Sequence, residues 1–139
     1  MRTRLINGKE YVFCEWRRKF VRLTPEEYVR QSFLMSLVQQ FGYPKELIAV
    51  EQPIRVGEVQ KRCDAVVYRK DMCAVCLIEF KAPSVALTQA VFDQAAVYNR
   101  TVGVRYVIIS NLEQTYCLEV LPTGYHFLSE IPPYNSLQK

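Results

Sequence analysis

Long apolar runs are missing from this chain. No stretch approaches the roughly 18 residues that a bilayer-spanning helix needs, which argues against a membrane span. Histidine is nearly missing too, with a single copy at His126. The five cysteines, Cys14, Cys63, Cys73, Cys76 and Cys117, are odd in number and irregular in spacing. Cys73 and Cys76 form one CxxC, but a structural zinc site needs a second ligand pair that the sequence does not supply. Four of the five lie in or beside apolar stretches, where a free thiol behaves as a small hydrophobe, so core thiols are expected. Internal repeats, low-complexity tracts and long linkers are absent. A secretory leader is not expected either: Arg2 and Arg4 could open one, but Asn7, Gly8, Lys9 and Glu10 interrupt any apolar segment behind them. These absences lead us to expect a cytoplasmic protein.

The 139 residues suit one domain, 1–139, with one core. Half of them are apolar and 23% charged, the balance of an ordinary globular protein. The net charge of +4 is unevenly placed. The N-terminal segment 1–23 holds Arg2, Arg4, Lys9, Arg17, Arg18, Lys19 and Arg22 against Glu10 and Glu15, leaving the remainder close to neutral. A basic segment beside a neutral domain suits a phosphate backbone, although solvated termini look similar.

Residues 11–15 and 20–23 read as short extended pieces around Arg17-Arg18-Lys19. A helix start follows: Thr24 as N-cap, Pro25 at the first helical position and Glu27 in a capping box. Apolar residues from Tyr28 to Phe41 keep a helical period, and Gly42 ends it. Strands are expected at 47–54, 62–68 and 74–80, the last buried on both faces. Residues 86–100 return to helical spacing, 104–110 and 116–121 read as strands, and Pro132-Pro133 should end regular structure. The expected fold is α/β (α+β), a central mixed sheet flanked by helices in the order α-β-β-β-α-β-β, with 86–100 as the crossover returning 104–110 parallel to 74–80.

Glu79 and Lys81 stand two residues apart at the end of an apolar strand, so both point to one face, with Leu77 and Val75 behind them. Alone, they also read as a solvated strand-end ion pair. Asp64 changes the balance, because aspartate disfavours strands and here interrupts a good one. If the two strands pair through the turn at Arg69-Lys70-Asp71, Asp64 approaches Glu79 across the sheet. Two carboxylates converging near a lysine repel until a hard cation joins them, and Mg²⁺ binds through one or two carboxylates while keeping waters. On the next helix Gln94 and Tyr98 share a face at i and i+4, although a buried tyrosine beside a partly exposed glutamine would look the same.

Asp64, Glu79-Phe80-Lys81 and the QxxxY element Gln94–Tyr98 together resemble the PD-(D/E)XK nuclease superfamily. Within it they are similar to RecB-like nucleases and to the N-terminal nuclease domain of type I restriction enzyme R subunits. Thr24-Pro25-Glu26-Glu27-Tyr28-Val29-Arg30-Gln31 resembles the first helix of that R-subunit family, Glu79-Phe80-Lys81-Ala82-Pro83 its Glu-x-Lys-Ala-Pro signature, and Ile109-Ser110-Asn111 its late strand end. Cys63 stands where the superfamily name has proline.

The resemblance implies a restriction-endonuclease-like core and a metal-dependent DNA endonuclease. Asp64, Glu79 and the Phe80 main-chain carbonyl would hold Mg²⁺ or Mn²⁺. Lys81 and Gln94 would position water and phosphate, Tyr98 would shape the site, and Arg17, Arg18 and Lys19 would hold the DNA backbone. Glu27 and Arg30 are further candidates from the first helix, and Glu51 a weaker one. No Walker motif or helicase segment is present, so the motor domains of R subunits are not expected here. A separate motor or specificity protein, or a second copy forming a homodimer, stays open as a partner. The rival class is a catalytically silent or partner-dependent nucleic-acid-binding or assembly module on the same fold.

Overall fold

The structure is a computed structural model that describes residues 1–56 and 58–138, with only the backbone of Ile54, Val56, Val59 and Lys61. The chain opens with three antiparallel strands: β1 (Thr3–Ile6), β2 (Lys9–Cys14) and β3 (Lys19–Arg22). Helix α1 (Pro25–Phe41) follows, then β4 (Ile48–Val56), β5 (Val59–Tyr68) and β6 (Ala74–Phe80). Helix α2 (Gln89–Val102), β7 (Tyr106–Ser110), β8 (Thr115–Leu121) and β9 (Gly124–Leu128) complete the regular elements, before a 3-10 turn at Tyr134–Gln138. Strands β4 to β9 form one six-stranded sheet in sequence order, antiparallel except for β6–β7, which are parallel across the α2 crossover. Among the described residues no helix is long and apolar enough to cross a membrane.

The expected mixed sheet is present, and two strands beyond the sequence reading appear, β1 in the small sheet and β9 in the large one. β1 pairs with β2 through Asn7-Gly8, both at positive φ (50° and 77°), the two-residue turn that matches strand twist. β9 pairs with β8 across Pro122-Thr123. The 86–100 helix begins at Gln89, and Pro132-Pro133 does not end regular structure: the turn behind it buries Tyr134 and Leu137. These two share one side of a 3-10 turn at i and i+3. The Tyr134 ring meets Tyr43 edge-on at 5.5 Å, and its hydroxyl donates to the Tyr68 carbonyl at 2.8 Å.

Pleating sorts the sheet's side chains into two cores. Ala65, Val67, Cys76, Ile78, Phe80 and Ile108 meet Val29, Phe33, Leu34 and Leu37 of α1, and Phe33 packs edge-on to Phe80 at 5.7 Å. Val107, Ile109 and Leu118 meet Phe92 and Ala95 of α2. Val75, expected behind Glu79 and Lys81, packs instead in the α1-side core, next to an irregularity of the β5–β6 register at Val67/Tyr68. Cys14, Cys63, Cys76 and Cys117 are buried and Cys73 is exposed, as their apolar settings indicated.

Helix α1 starts and stops by side-chain chemistry. Thr24 Oγ1 accepts the Glu27 N–H at 3.0 Å, and Gly42 ends the helix at φ 75° while Tyr43 N–H closes on the Leu37 carbonyl. Only half of the expected capping box forms, because the Glu27 carboxylate turns to Arg17, Arg30 and Gln31 instead. Thr24→Ala is accordingly expected to cost about 1 kcal/mol in urea unfolding. A loss below a few tenths would show that the cap contributes nothing.

Candidate active site

The β5–β6 ladder runs to Ala65↔Ile78, and the next residues in register are Asp64 and Glu79. The strands stop exchanging main-chain hydrogen bonds there, and the Phe80 N–H donates to Asp64 Oδ2 at 2.7 Å. The aspartate that looked misplaced in a strand therefore closes the end of the ladder with its side chain. Lys81 N–H donates to the Ser110 carbonyl at 3.0 Å, and Lys81 Nζ lies 3.2 Å from Glu79 Oε1. Asp64, Glu79 and Lys81 line one cavity of about 250 Å³ with Arg62, Tyr98 and Asn99. Gln94 lies beside it, on a recess of about 230 Å³ shared with Glu79 and Lys81. The four residues of the motif thus converge, and Tyr98 packs over Cys63, Leu77 and Val104 at the cavity wall.

The electrostatics centre on Arg30, a buried side chain on α1. Its Nη1 reaches Glu27 Oε1 at 3.0 Å, and its Nη2 lies 2.7 Å from Glu51 Oε1 and 3.4 Å from Asp64 Oδ1. Glu27 is held in turn by Arg17 Nη2 at 2.6 Å and Gln31 Nε2 at 2.7 Å. Arg17, expected on a DNA backbone, thus directs its guanidinium to Glu27 and to Cys14 Sγ. Arg18 and Lys19 are the exposed cations of that turn.

Sequence reasoning gave Glu51 little weight, yet it is a principal partner of Arg30. The pairs Val50↔Ala65 and Gln52↔Cys63 put it opposite Asp64. Its backbone stands at φ 55°, which a non-glycine residue seldom adopts within a strand. No sequence signal marks that conformation. Asn111, read from the sequence only as part of the late strand end, has a positioning part as well: its Nδ2 donates to the Val85 carbonyl at 2.8 Å and its Oδ1 accepts the Gln114 N–H at 2.7 Å. It ties the segment following Lys81 to the β7–β8 turn.

Burial pushes the Asp64 carboxyl above its usual range, and the Glu79 and Glu51 carboxylates add to the effect. The Phe80 N–H and the Arg30 guanidinium oppose it. Glu51 moves the other way: against the effect of its own burial, Arg30 and then Arg62 hold it below the usual carboxylate range. An acid held above its unfolded value stabilises the fold only at low pH, and that contribution is lost as pH rises through the folded value. The charged form of Asp64 is thus disfavoured chiefly by burial and then by its two carboxylate neighbours. A hard divalent cation would offset that penalty, and Asp64 Oδ1, engaged among the described residues only by the 3.4 Å Arg30 contact, could accept it. Among the described residues no group of three His, Cys, Asp or Glu side chains is disposed to hold a metal. The donors fit a two-carboxylate magnesium or manganese site completed by water, rather than a zinc or calcium cage.

Residues 25–132 match the family described as type I restriction enzyme R protein N terminus (HSDR_N). No curated protein matches the chain. Among solved structures, the fold is similar to a fragment assigned as an HsdR subunit of a type I restriction enzyme from Vibrio vulnificus YJ016. That likeness has a TM-score of 0.60 at 17% identity and covers 83% of this chain and 24% of that one. The chain thus spans about a quarter of that structure's length. A DUF820 protein from Anabaena variabilis ATCC 29413, assigned as a nuclease, aligns with a TM-score of 0.51 at 11% identity, over 94% of this chain and 86% of that one. At these identities the structures speak for the fold alone. With the family match over most of the chain and the mixed sheet beneath it, this protein belongs to the type I restriction enzyme R protein N-terminal family, a nuclease-like family of restriction-endonuclease-like PD-(D/E)XK domains.

Proposed function

We propose that the chain is a metal-dependent phosphodiesterase acting on DNA, with Asp64, Glu79, Lys81 and Gln94 as its working groups. The observation that carries this reading is the convergence of Asp64 and Glu79 on one cavity beside Lys81, where burial, and then the Glu79 and Glu51 carboxylates, weigh on the Asp64 carboxyl. Asp64, Glu79 and the Phe80 carbonyl would hold Mg²⁺ or Mn²⁺. The bound ion supplies charge neutralisation at a phosphate and acidifies a water.

The chain's own groups do the rest. The Lys81 ammonium, at the mouth of the strand, presents donors to a phosphate oxygen as negative charge grows there. Glu79 holds that ammonium at 3.2 Å and so limits where it can point. Gln94 can orient a water or a phosphate oxygen from the recess it shares with Glu79 and Lys81. Tyr98 closes the apolar side of the cavity. Arg18 and Lys19 would contact the backbone without reading sequence. A separate motor or specificity protein is the partner this reading proposes.

The direct test is nicking of supercoiled, linear and single-stranded DNA with Mn²⁺ or Mg²⁺, by wild type and Lys81→Ala. Equal cleavage by the two would assign the activity elsewhere. Binding of the ion can be read without catalysis. Mn²⁺ at a hundredfold excess over its Kd is expected to stabilise the fold by about 2.7 kcal/mol. That gain should shrink sharply in Asp64→Asn, and an equal gain in both proteins would remove Asp64 from the metal site.

A further inference from the structure

The small N-terminal sheet has one face for the core and one for something else. β2 turns Val12 and Cys14 inward, both fully buried. The register Arg4↔Tyr11↔Arg22, with Phe13↔Phe20 beside it, puts Arg4, Arg22 and three aromatic rings on the opposite face. Arg2, one step before β1, joins them: its guanidinium lies 4.6 Å from the Phe13 ring centre and 5.5 Å from that of Phe20. Arg4 lies 4.4 Å from Phe20, and Arg22 lies 5.8 Å from Tyr11. Lys9 shares the face by pleat. Arg2, Arg4, Lys9 and Arg22 are all exposed, and among the described residues no salt bridge to any of them is present. Glu15, just past β2, is engaged by Lys45 at 3.2 Å.

We infer that this arginine-covered face is a second nucleic-acid contact, one that grips the sugar–phosphate backbone away from the Asp64–Glu79 cavity. Guanidiniums already lie over the phenyl rings, so the face offers fixed N–H forks rather than bare rings for base stacking. An arginine already resting over a ring surrenders less side-chain freedom when a phosphate arrives. Glu10, the carboxylate of these strands, takes the Val12 side by pleat, so the four cations match a line of phosphates in sign. The contact carries no base readout. It does not depend on cleavage, so its failure would leave the Asp64–Glu79 reading untouched.

The experiment measures binding of the full chain to a duplex and to a single-stranded oligonucleotide of about 20 nucleotides, across a KCl series. EDTA is present to suppress cleavage, and each phosphate contact contributes about 0.9 (duplex) or 0.7 (single strand) to the slope of log K against log [salt]. The neutral set Arg2→Gln, Arg4→Gln and Arg22→Gln is expected to bind at least about tenfold more weakly at low salt, with a slope shallower by about 2 to 3. The charge-keeping set Arg2→Lys, Arg4→Lys and Arg22→Lys should retain the slope. Whichever oligonucleotide shows the larger change identifies the form of backbone held. If the neutral set fails to melt cooperatively, Arg4→Gln alone decides, with an expected slope change of about 1. An unchanged slope and affinity in the variant that folds overturns the inference. So does a wild type that binds neither oligonucleotide, or that binds anionic phosphatidylserine vesicles more tightly than DNA at equal salt.

Discussion

In a Mn²⁺-supported DNA hydrolysis assay, Lys81→Ala is expected to lower the rate by about 10²–10³-fold, the loss that follows removal of one well-placed donor to developing negative charge. Stability should barely move. The Lys81–Glu79 pair is about one-third exposed at both ends, and exposed ion pairs are worth about 0–1 kcal/mol. The main-chain bond from Lys81 N–H to Ser110 does not involve the side chain. Mn²⁺ affinity should be kept or slightly improved, because Asp64 and Glu79 stay in place and a competing cation is gone. Lys81→Arg should recover part of the rate, since charge is restored but the planar fork points differently. A variant that loses Mn²⁺ binding together with activity would show that Lys81 shapes the metal site rather than the reaction. A variant with undiminished rate would remove Lys81 from the chemistry.

Arg30→Ala is expected to produce the largest loss of stability among single changes at the site, about 3 kcal/mol, near the low end for breaking a buried ion pair. Arg30 serves Glu27, Glu51 and Asp64 at once. Of these acceptors only Glu27 is deeply buried, at 8% side-chain exposure, while Glu51 and Asp64 keep about 30%. Water can serve the two exposed carboxylates, whereas Glu27 keeps Arg17 and Gln31, which moderates the loss. For a domain of this size the change corresponds to a melting point lower by about 10 °C. Arg30→Met should be no better, since the methylene stem is restored but the cation that Glu27, Glu51 and Asp64 share is still gone. The double variant Arg30→Met/Glu27→Gln should regain part of the loss, because the buried charge is removed with its partner. Simple additivity in that cycle would show that Arg30 and Glu27 are not coupled.

Much of this geometry could be read from the chain because it rests on short-range periods. The two-residue repeat put Glu79 and Lys81 on one face, and a hairpin across 69–73 is enough to bring Asp64 near them. The caps of α1 were legible because Thr24, Pro25 and Gly42 each have one dominant use. β1 was legible but overlooked: Asn7-Gly8 is a strong hairpin signal, passed over among exposed polar residues. β9 follows Pro122-Thr123, which carries no such signature. The role of Arg30 could not be read, since it joins residues 34 apart through packing that no local pattern encodes. Nor could the left-handed backbone of Glu51, a conformation imposed from outside on a residue that does not prefer it. Glu27 was half legible. Its N–H obeys the capping rule while its carboxylate obeys the site.

The order of the strands also sets the order in which the site can assemble. Asp64 and Glu79 belong to neighbouring strands joined by a tight turn, so the contact that unites them closes a short loop and costs little chain entropy. The parallel pairing of β6 with β7 must wait for the α2 crossover, and Arg30 must arrive from a helix far back in the sequence. By loop length alone, the two like charges are expected to meet before the arginine that steadies them has docked. The repulsion is met while the sheet is still forming, where protons or a divalent ion in the surrounding solution can screen it. The motif that serves chemistry in the finished protein is, on the way there, an electrostatic obstacle in the nascent hairpin.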